Sequence, residues 1–325
     1  MSLSLSTVGT EGPSIGRIEV SVNGRWVTVP AIDVEGSVLT IEGKWIRIAA
    51  LHDEEWLENQ LTNPELCISK LKQLRGPRAD IFTFTQKPPV TDPKYHYPVE
   101  RVSLAVADVR DFKSWWEKLP QETRKNVRRA EKRGIVTRVQ EFNDDLVSGI
   151  ADVQNETPVR QGRRYVHYGK PLQEVKRDYS AFLDRSVFIC AYFGDEFIGF
   201  LTLVYRGDVA SILQLNSKMS HYDKRPSNAL LAKAVELCSS KGVSYLTYGR
   251  FNYGNKSDSS LRDFKIRNRF DEMLMPRFYV PLTAWGKVCV RTKLYRGLMG
   301  LLPSYVIAVL VRARAKWYKH TIKMA

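Results

Sequence analysis

The sequence predicts a mixed α/β fold with α+β character, in which one large sheet is flanked by helices. Three observations predict it. Apolar and polar residues alternate between tight turns from Ile18 to Ile48, helical spacing takes over between residues 112 and 155, and three strands with two-residue turns precede a helix at Pro226. A strand meander is therefore expected to lead into a strand–helix–strand crossover.

The N-terminal part of the chain predicts a β-rich region. Alternation interrupted by Asn23-Gly24, Glu35-Gly36 and Glu42-Gly43 is the pattern of short antiparallel strands joined by tight turns. The other elements predicted here are a flexible leader over 1–15, a helix from about Asp53, a helix from Asn63-Pro64 to about Leu74, a strand over 79–86 and a proline-rich connector. We expect residues 16–100 to form this region.

From residue 101 onward, strand and helix periods alternate. Phe112, Trp115, Trp116 and Leu119 fall on one face of a helix, and Gly134 supplies the glycine that ends the next helix. We predict strand 101–106, helices 112–119 and 121–132, strand 135–142, helices 144–155 and 172–183, strands 187–193, 197–205 and 209–218, helix 226–240, strand 243–248, helix 259–270 and strand 273–282.

Charge predicts anionic partners. Lys and Arg number 50 against 35 Asp and Glu, which gives a net charge of +15 and a pI near 9.6. The segment 273–325 has no acidic residue but ten cations around an apolar stretch edged by Trp317 and Tyr318. We expect residues 286–325 to form a basic amphipathic helical tail, suited to an anionic membrane surface or packed against the body of the protein.

Several classes of protein are disfavoured. Cys67, Cys190, Cys238 and Cys289 stand apart without a CxxC pair or a His/Cys cluster, so we expect neither a metal site nor a disulfide framework. The start of the chain lacks a secretory pattern, and the apolar stretch Leu298–Val311 is shorter than a spanning helix. The expected location is the cytoplasm, with peripheral attachment to the inner face of the membrane through the tail.

Three segments resemble the GNAT acyltransferase superfamily, and more closely its Fem-like branch of peptidoglycan-bridge aminoacyltransferases and related acetyltransferase domains. They are Leu119–Gly134, Ile212–Gly242 and Ser259–Phe270, the last similar to an FK…F element of that branch. The resemblance covers about residues 100–285. It implies a GNAT-like mixed sheet over 101–285 and transfer of an acyl group, from acetyl-CoA or another acyl-CoA, to an amine.

The same resemblance places the donor at a strand and the helix that follows it. Residues 212–217 would splay from the neighbouring strand, so that backbone groups bind the pantetheine arm and polarise the thioester carbonyl. The loop 223–228 has DKRPSN where ordinary GNAT enzymes have a glycine-rich pyrophosphate loop, which leaves charged tRNA as an alternative donor. The expected donor-binding residues are Leu213, Leu215, Asn216, Lys224, Arg225, Ser227 and Asn228.

A segment rich in charged and aromatic residues, 155–170, is the first candidate site. Arg160, Arg163 and Arg164 have the forked donors that hold a carboxylate or phosphate. Glu156 or His167 would be the base and Tyr168 the acid, because amine acylation needs one group to take a proton and one to return it. The alternative is structural, with Glu156 as a cap and His167 half-buried.

A second candidate lies at the carboxyl end of the strand over 243–248. Tyr248 is an alternative acid, Tyr253 lies in a loop well placed to touch substrate, and Lys265 on the next helix would reach the site. A basic stripe on helix 121–132, including Arg124 and Arg128, would bind RNA phosphates or be a solvated face. No DNA-binding motif accompanies it.

These patterns favour an acyltransferase that uses acyl-CoA and an amine acceptor, such as a sugar nucleotide or a lipid-linked precursor of the cell envelope. The alternative enzyme is a tRNA-dependent aminoacyltransferase, although residues 1–100 do not clearly supply a second complete GNAT unit. A third hypothesis is a non-catalytic RNA- or membrane-binding protein on the same fold.

Overall fold

A computed structural model of the protein describes residues 15–22, 25–52, 60–74, 76, 78–160, 163–252 and 260–297. The expected leader, the helix from Asp53, Tyr253 and the tail beyond residue 297 lie outside the described residues.

The described strands are β1 Gly16–Val22, β2 Arg25–Val34, β3 Ser37–Glu42, β4 Ile48–Leu51, β5 Ile81–Thr85, β6 Val99–Asp108, β7 Ile135–Gln140, β8 Val159–Arg160, β9 Arg163–Arg164, β10 Ser186–Phe193, β11 Glu196–Arg206, β12 Val209–Ser217, β13 Tyr245–Arg250 and β14 Asp271–Pro281. The described α-helices are α1 Pro64–Gln73, α2 Phe112–Lys118, α3 Gln121–Lys132, α4 Asp144–Asn155, α5 Leu172–Tyr179, α6 Pro226–Ser240, α7 Ser260–Arg267 and α8 Ala284–Thr292.

Local signals account for several helix ends. The side chains of Asn63, Asp111 and Asn143 each accept a hydrogen bond from the first turn of the helix that follows. Pro226 occupies the first position of α6, where its missing N–H costs nothing. Gly134, with φ +83°, ends α3 as predicted.

Twelve of the described strands form one sheet that runs through both the N-terminal and the C-terminal parts of the chain. Their order is β1-β2-β3-β4-β5-β14-β6-β13-β12-β11-β10-β7, while β8 and β9 form a separate hairpin. The long strand β14 joins the two parts, because it pairs with β5 on one side and β6 on the other.

The sheet contains two parallel pairs, and each follows an antiparallel meander. Strands β12 and β13 are parallel around α6, as the sequence predicts, and β4 and β5 are parallel with α1 between them. Residues 16–85 therefore carry a meander and a parallel crossover of the same kind as the C-terminal part, a likeness that the sequence did not make clear.

Helices cover both faces of the C-terminal sheet. Helices α2, α3 and α6 pack on one face over a core that includes Trp115, Val127 and Leu230, and α4 and α5 pack on the other with Leu146 and Val175. A further core joins α1 to β5 and β14 through Leu71, Phe84 and Phe278. The four cysteines are buried. Among the described residues, no helix combines the length and apolarity needed to cross a membrane.

Several predicted elements have different boundaries in the structure, among them helix 259–270, which ends at Arg267. The helix expected over 172–183 ends at Tyr179, because the chain turns at Phe182 with φ +61° before a 3-10 turn over Leu183–Arg185. The strand expected from Val243 begins at Tyr245. The segment expected as a loop after α4 includes the hairpin of β8 and β9.

Candidate functional site

Strands β12 and β13 part after three paired residues. Val209, Ala210 and Ser211 pair with residues 245–247, and the described ladder between the two strands stops there. At the last pair, the buried hydroxyls of Ser211 and Thr247 lie 2.8 Å apart. The expected splay is therefore present, and it begins at a fixed point.

A β-bulge lies directly after the point of separation. Ile212 faces Leu203 and Gln214 faces Thr202, so Leu213 is an extra residue in β12 relative to β11. A bulge removes its extra residue from the ladder and turns the strand. The side chain of Leu213 is exposed, unlike that of its neighbour Ile212.

The bulge opens into a cavity of about 730 Å³, here called the bulge cavity. Its walls come from β11 and β12, from the segment 166–182, and from the N-terminal meander. The polar and aromatic lining residues used below are Trp26, Thr40, His167, Lys170, Asp178, Tyr179, Thr202 and Gln214.

The N-terminal hairpin is tied to α5 across this cavity. The indole N–H of Trp26 donates to Asp178 at 3.1 Å, and the Arg177 guanidinium lies 4.0 Å from the Trp26 ring centroid. Asp178 also accepts from the Lys170 ammonium at 2.6 Å. The two contacts of Trp26 join residues that are about 150 positions apart, so the cavity depends on the N-terminal part of the chain.

His167 is the sequence-predicted catalytic residue that lines the bulge cavity. Its Nδ1 is buried and has no hydrogen-bond partner, and its ring lies 5.3 Å from that of Tyr165. Burial lowers the pKa of His167, and the nearby Lys170 cation lowers it further. The imidazole is therefore neutral near pH 7, the form that can accept a proton.

Glu156 points to a neighbouring turn instead. Its carboxylate accepts hydrogen bonds from the backbone N–H of Met219, the backbone N–H of Ser220 and the Ser220 hydroxyl. Burial alone would raise its pKa, but these bonds and the Arg160 cation hold the pKa of Glu156 below its usual value. This geometry is that of a carboxylate that anchors the 3-10 turn Met219–Lys224.

Arg160 holds the end of β12. Its guanidinium donates to the Val153 carbonyl at 2.7 Å and to the Asn216 side chain and Ser217 carbonyl at 3.3 Å each. It also stacks 4.8 Å from the centroid of the Tyr165 ring. Burial raises the pKa of Tyr165 to about 12, so its phenol stays protonated.

Few hydrogen-bond donors are free at the start of α6. Pro226 has no N–H, the Asn228 N–H bonds to the Arg225 carbonyl, and the Ser227 hydroxyl lies 3.0 Å from that of Ser217. Lys224 lies 3.4 Å from the Asp223 carboxylate and 5.0 Å from the Phe193 ring centroid. Arg225 is exposed and left-handed, with φ +62°.

Lys265 is buried on α7, on the far side of β13 from the cavity. Its ammonium donates to the Arg250 carbonyl at 2.7 Å and lies 4.7 Å from the Tyr248 ring centroid. Burial lowers the pKa of Lys265 to about 8. It is placed to hold the end of β13, where Gly249 turns the strand with φ +56°.

Comparison with known proteins gives matches in structure and none in sequence. No family model and no curated protein matches the chain. A crystal structure of FemX is similar with a TM-score of 0.57 and 11% identity, covering 86% of this chain and 91% of FemX. The C-terminal domain assigned to a lysylphosphatidylglycerol synthetase from Agrobacterium fabrum has a TM-score of 0.55 and 14% identity, over 81% and 87% of the two chains. L-PGS from Bacillus licheniformis has a TM-score of 0.51 and 14% identity, over 80% and 86%.

The protein has a Fem-like fold. The sequence resemblance covered residues 100–285, whereas the likeness to FemX extends over most of the chain and includes the N-terminal part.

Within the Fem-like fold, the predicted site residues fall into separate groups. His167 and Leu213 line the bulge cavity. Arg160 contacts both Glu156 and Asn216, and these three residues form a second group. Tyr248 and Lys265 form a third group. Leu215 packs against the core. Tyr168 and Arg164 are exposed, the backbone of Arg163 pairs with Arg160, and Tyr253 lies outside the described residues.

The structure has a second cavity that the sequence did not predict. It measures about 800 Å³ and shares Thr40, Glu42 and Ala50 with the bulge cavity, so the two spaces adjoin. We call it the arginine cavity, because its lining includes Arg101, Arg250, Arg277 and Arg296 against the carboxylates of Glu42 and Glu100. Five elements contribute these residues, and no local motif connects them.

Proposed function

We propose that this protein transfers an acyl group to an amine in the bulge cavity. The observation that carries the proposal is the bulge at Leu213, beside the parting of β12 and β13 and beside a neutral histidine. A backbone N–H released from the ladder can donate to the carbonyl oxygen of a donor lying between the strands. This hydrogen bond from the backbone N–H would stabilise the oxyanion that forms when the carbonyl is attacked.

The proposed reaction needs one proton acceptor. The acceptor amine attacks the acyl carbonyl, and the C–N bond forms as a tetrahedral oxyanion develops. The imidazole of His167, which lines the cavity, takes the proton from the amine nitrogen. The intermediate then expels the donor's oxygen or sulfur, which receives the proton back from the imidazolium.

Charged tRNA is the donor that the observations favour. At the start of α6, Pro226 removes one N–H and the Asn228 N–H is already bonded, which leaves a poor cradle for a coenzyme pyrophosphate. The similar synthetase domain is named for a lysyl transfer to phosphatidylglycerol, which is an aminoacyl transfer. The exposed cations Lys125, Arg128 and Lys132 on α3 offer a surface for RNA phosphates.

Acyl-CoA is the second candidate donor. It is favoured by the cations Lys224 and Arg225, which stand directly before the helix that follows the splayed strand. The positive end of the α6 dipole would add to their attraction for a phosphate.

The arginine cavity supports an anionic acceptor. Its four guanidinium groups outnumber its two carboxylates, one of which, Glu100, is already paired with Arg296. Guanidinium groups bind phosphate and carboxylate through paired hydrogen bonds. A sugar nucleotide or a lipid-linked envelope precursor has the required charge. Its amine would reach the bulge cavity where the two cavities adjoin, at Thr40, Glu42 and Ala50.

A donor-consumption assay tests this proposal. The purified protein is incubated with a mixed pool of charged tRNA, or with a panel of acyl-CoA thioesters, together with a panel of amines that bear phosphate groups. We expect acceptor-dependent loss of one aminoacyl-tRNA, detected by acid-gel separation, and no acceptor-dependent release of CoA thiol. Thiol release would reverse the donor assignment, and loss of neither donor would contradict the proposed reaction.

A further inference from the structure

Two tryptophans stand exposed at one end of the molecule. Trp45, in the turn between β3 and β4, has 91% of its surface exposed, and Trp285, in the first turn of α8, has 46% exposed. Val288 lies one helical turn after Trp285 and is equally exposed. We call these three residues the indole patch.

Hydrogen bonds join the two elements that carry the indole patch. The indole N–H of Trp285 donates to the Trp45 carbonyl at 3.1 Å. Asp80 fixes both elements, because its carboxylate accepts from the Arg47 N–H and from the Thr283 hydroxyl at 2.9 Å each. A Cβ on Gly286 would lie 1.9 Å from the Asp80 carbonyl oxygen, which shows how closely α8 packs there. The exposed indoles are therefore presented by a fixed surface.

Exposed cations lie on the same turn and on the same helix as the patch. Lys44 precedes Trp45, and Lys287 and Arg291 lie one turn apart on α8; all three are exposed. Helix α8, Ala284–Thr292, contains no acidic residue. An exposed apolar group with cations nearby complements a negatively charged surface that has an apolar interior.

We propose that the indole patch docks the protein onto an anionic lipid bilayer. Indole rings settle at the boundary between headgroups and acyl chains, where their apolar area leaves water while the N–H keeps a polar partner. Lys and Arg side chains near an anionic leaflet add electrostatic attraction. Lys287, Val288 and Arg291 belong to the segment 286–325 that the sequence predicts as a basic tail, whereas Trp45 and Trp285 lie outside it. Docking does not depend on the proposed transfer reaction.

The patch adjoins the arginine cavity. Gly43 and Ile46, which flank Trp45, line that cavity, as do Tyr295 and Arg296, which follow α8. Docking would therefore bring this cavity next to the lipid surface, where a phosphate-bearing membrane component is at high local concentration.

Vesicle co-sedimentation of the full chain tests the proposal. The vesicles contain phosphatidylcholine alone or phosphatidylcholine mixed with phosphatidylglycerol. We expect binding to the mixed vesicles, weakened about tenfold or more by Trp45→Ala/Trp285→Ala and by Lys287→Ala/Arg291→Ala. The matched controls are Val136→Ala on β7 and Lys125→Ala/Lys132→Ala on α3, which remove exposed apolar area and two cations elsewhere and should bind as the wild type does.

A second measurement keeps the test independent of folding. In Trp45→Phe/Trp285→Phe, which retains aromatic area, quenching of fluorescence by brominated lipid should fall well below that of the wild type. Unchanged binding in both alanine double variants, or unchanged quenching in the phenylalanine variant, would overturn the proposal. The proposal would also be overturned if the wild type did not bind anionic vesicles but formed dimers, and if Trp45→Ala/Trp285→Ala were monomeric. The patch would then bind a second copy of the chain.

Discussion

Ser211 and Thr247 form the last paired position before strands β12 and β13 separate, and their hydroxyl oxygens lie 2.8 Å apart. Both residues are buried, and the Thr247 hydroxyl also lies 3.4 Å from the Ala210 carbonyl. The contact fixes where the splay begins. It therefore also fixes the position of the bulge two residues later.

A double-mutant cycle should detect coupling between these hydroxyls. We expect Ser211→Ala and Thr247→Val to interact by about 1 kcal/mol in the free energy of unfolding, because each variant leaves the other hydroxyl without this partner. Urea denaturation of the two single variants and the double variant measures the coupling. Strictly additive losses would mean that the contact does not set the strand separation.

Removal of the bulge should abolish transfer without unfolding the protein. Deletion of Leu213 would make the β11–β12 ladder regular, since Ile212 and Gln214 already face adjacent residues of β11. We expect activity to fall about 100-fold or more, because the oxyanion donor is lost. Leu213→Ala keeps the extra residue and is the control. If deletion and substitution have the same small effect, the oxyanion donor lies elsewhere.

Glu156 should behave as an anchor. Glu156→Ala leaves the N–H groups of Met219 and Ser220 without their acceptor, and we expect a loss of about 1–3 kcal/mol in the free energy of unfolding. Turnover at saturating donor should change little, because another residue takes the proton. A normal unfolding midpoint together with lost turnover would identify Glu156 as the base.

The stability of the protein should fall below about pH 6.5 through His167. The folded state disfavours protonation of this imidazole, whereas the unfolded chain takes up the proton at its ordinary pKa. Stability is therefore highest above the unfolded pKa and declines as the pH falls toward the lower, folded pKa. The unfolding free energy of His167→Gln should decline less than that of the wild type between about pH 7.5 and about pH 5.5. Equal declines would mean that His167 accepts a proton freely in the folded protein.

The sequence predicted most elements because their signals are local. Helices α3, α4 and α6 begin and end where predicted, since a capping residue, a proline or a glycine marks each boundary. The joining of β14 to β5 was not predictable in this way, because strands about 190 residues apart carry no signal of their pairing.

The site was predicted only in part, because some of its residues are close together in the sequence and others are not. His167 belongs to a local cluster of unusual residues, so its importance was visible in the sequence. The role of Glu156 depends on a turn 63 residues away, and the arginine cavity is built from residues between 40 and 296. Such groupings arise from the three-dimensional fold, and composition or spacing does not encode them visibly.

The pH dependence of transfer in wild type and His167→Gln tests the central claim most directly. With the donor and acceptor found in the consumption assay, we expect His167→Gln to lose about 100-fold or more in kcat, while Val166→Ala, at the same cavity wall, stays near wild type. The acidic limb of the wild-type profile should lie below pH 6.5, because burial lowers the pKa of His167, and it should disappear from the residual activity of the variant. A variant with unchanged kcat and an unchanged acidic limb would contradict the assignment of His167 as the base.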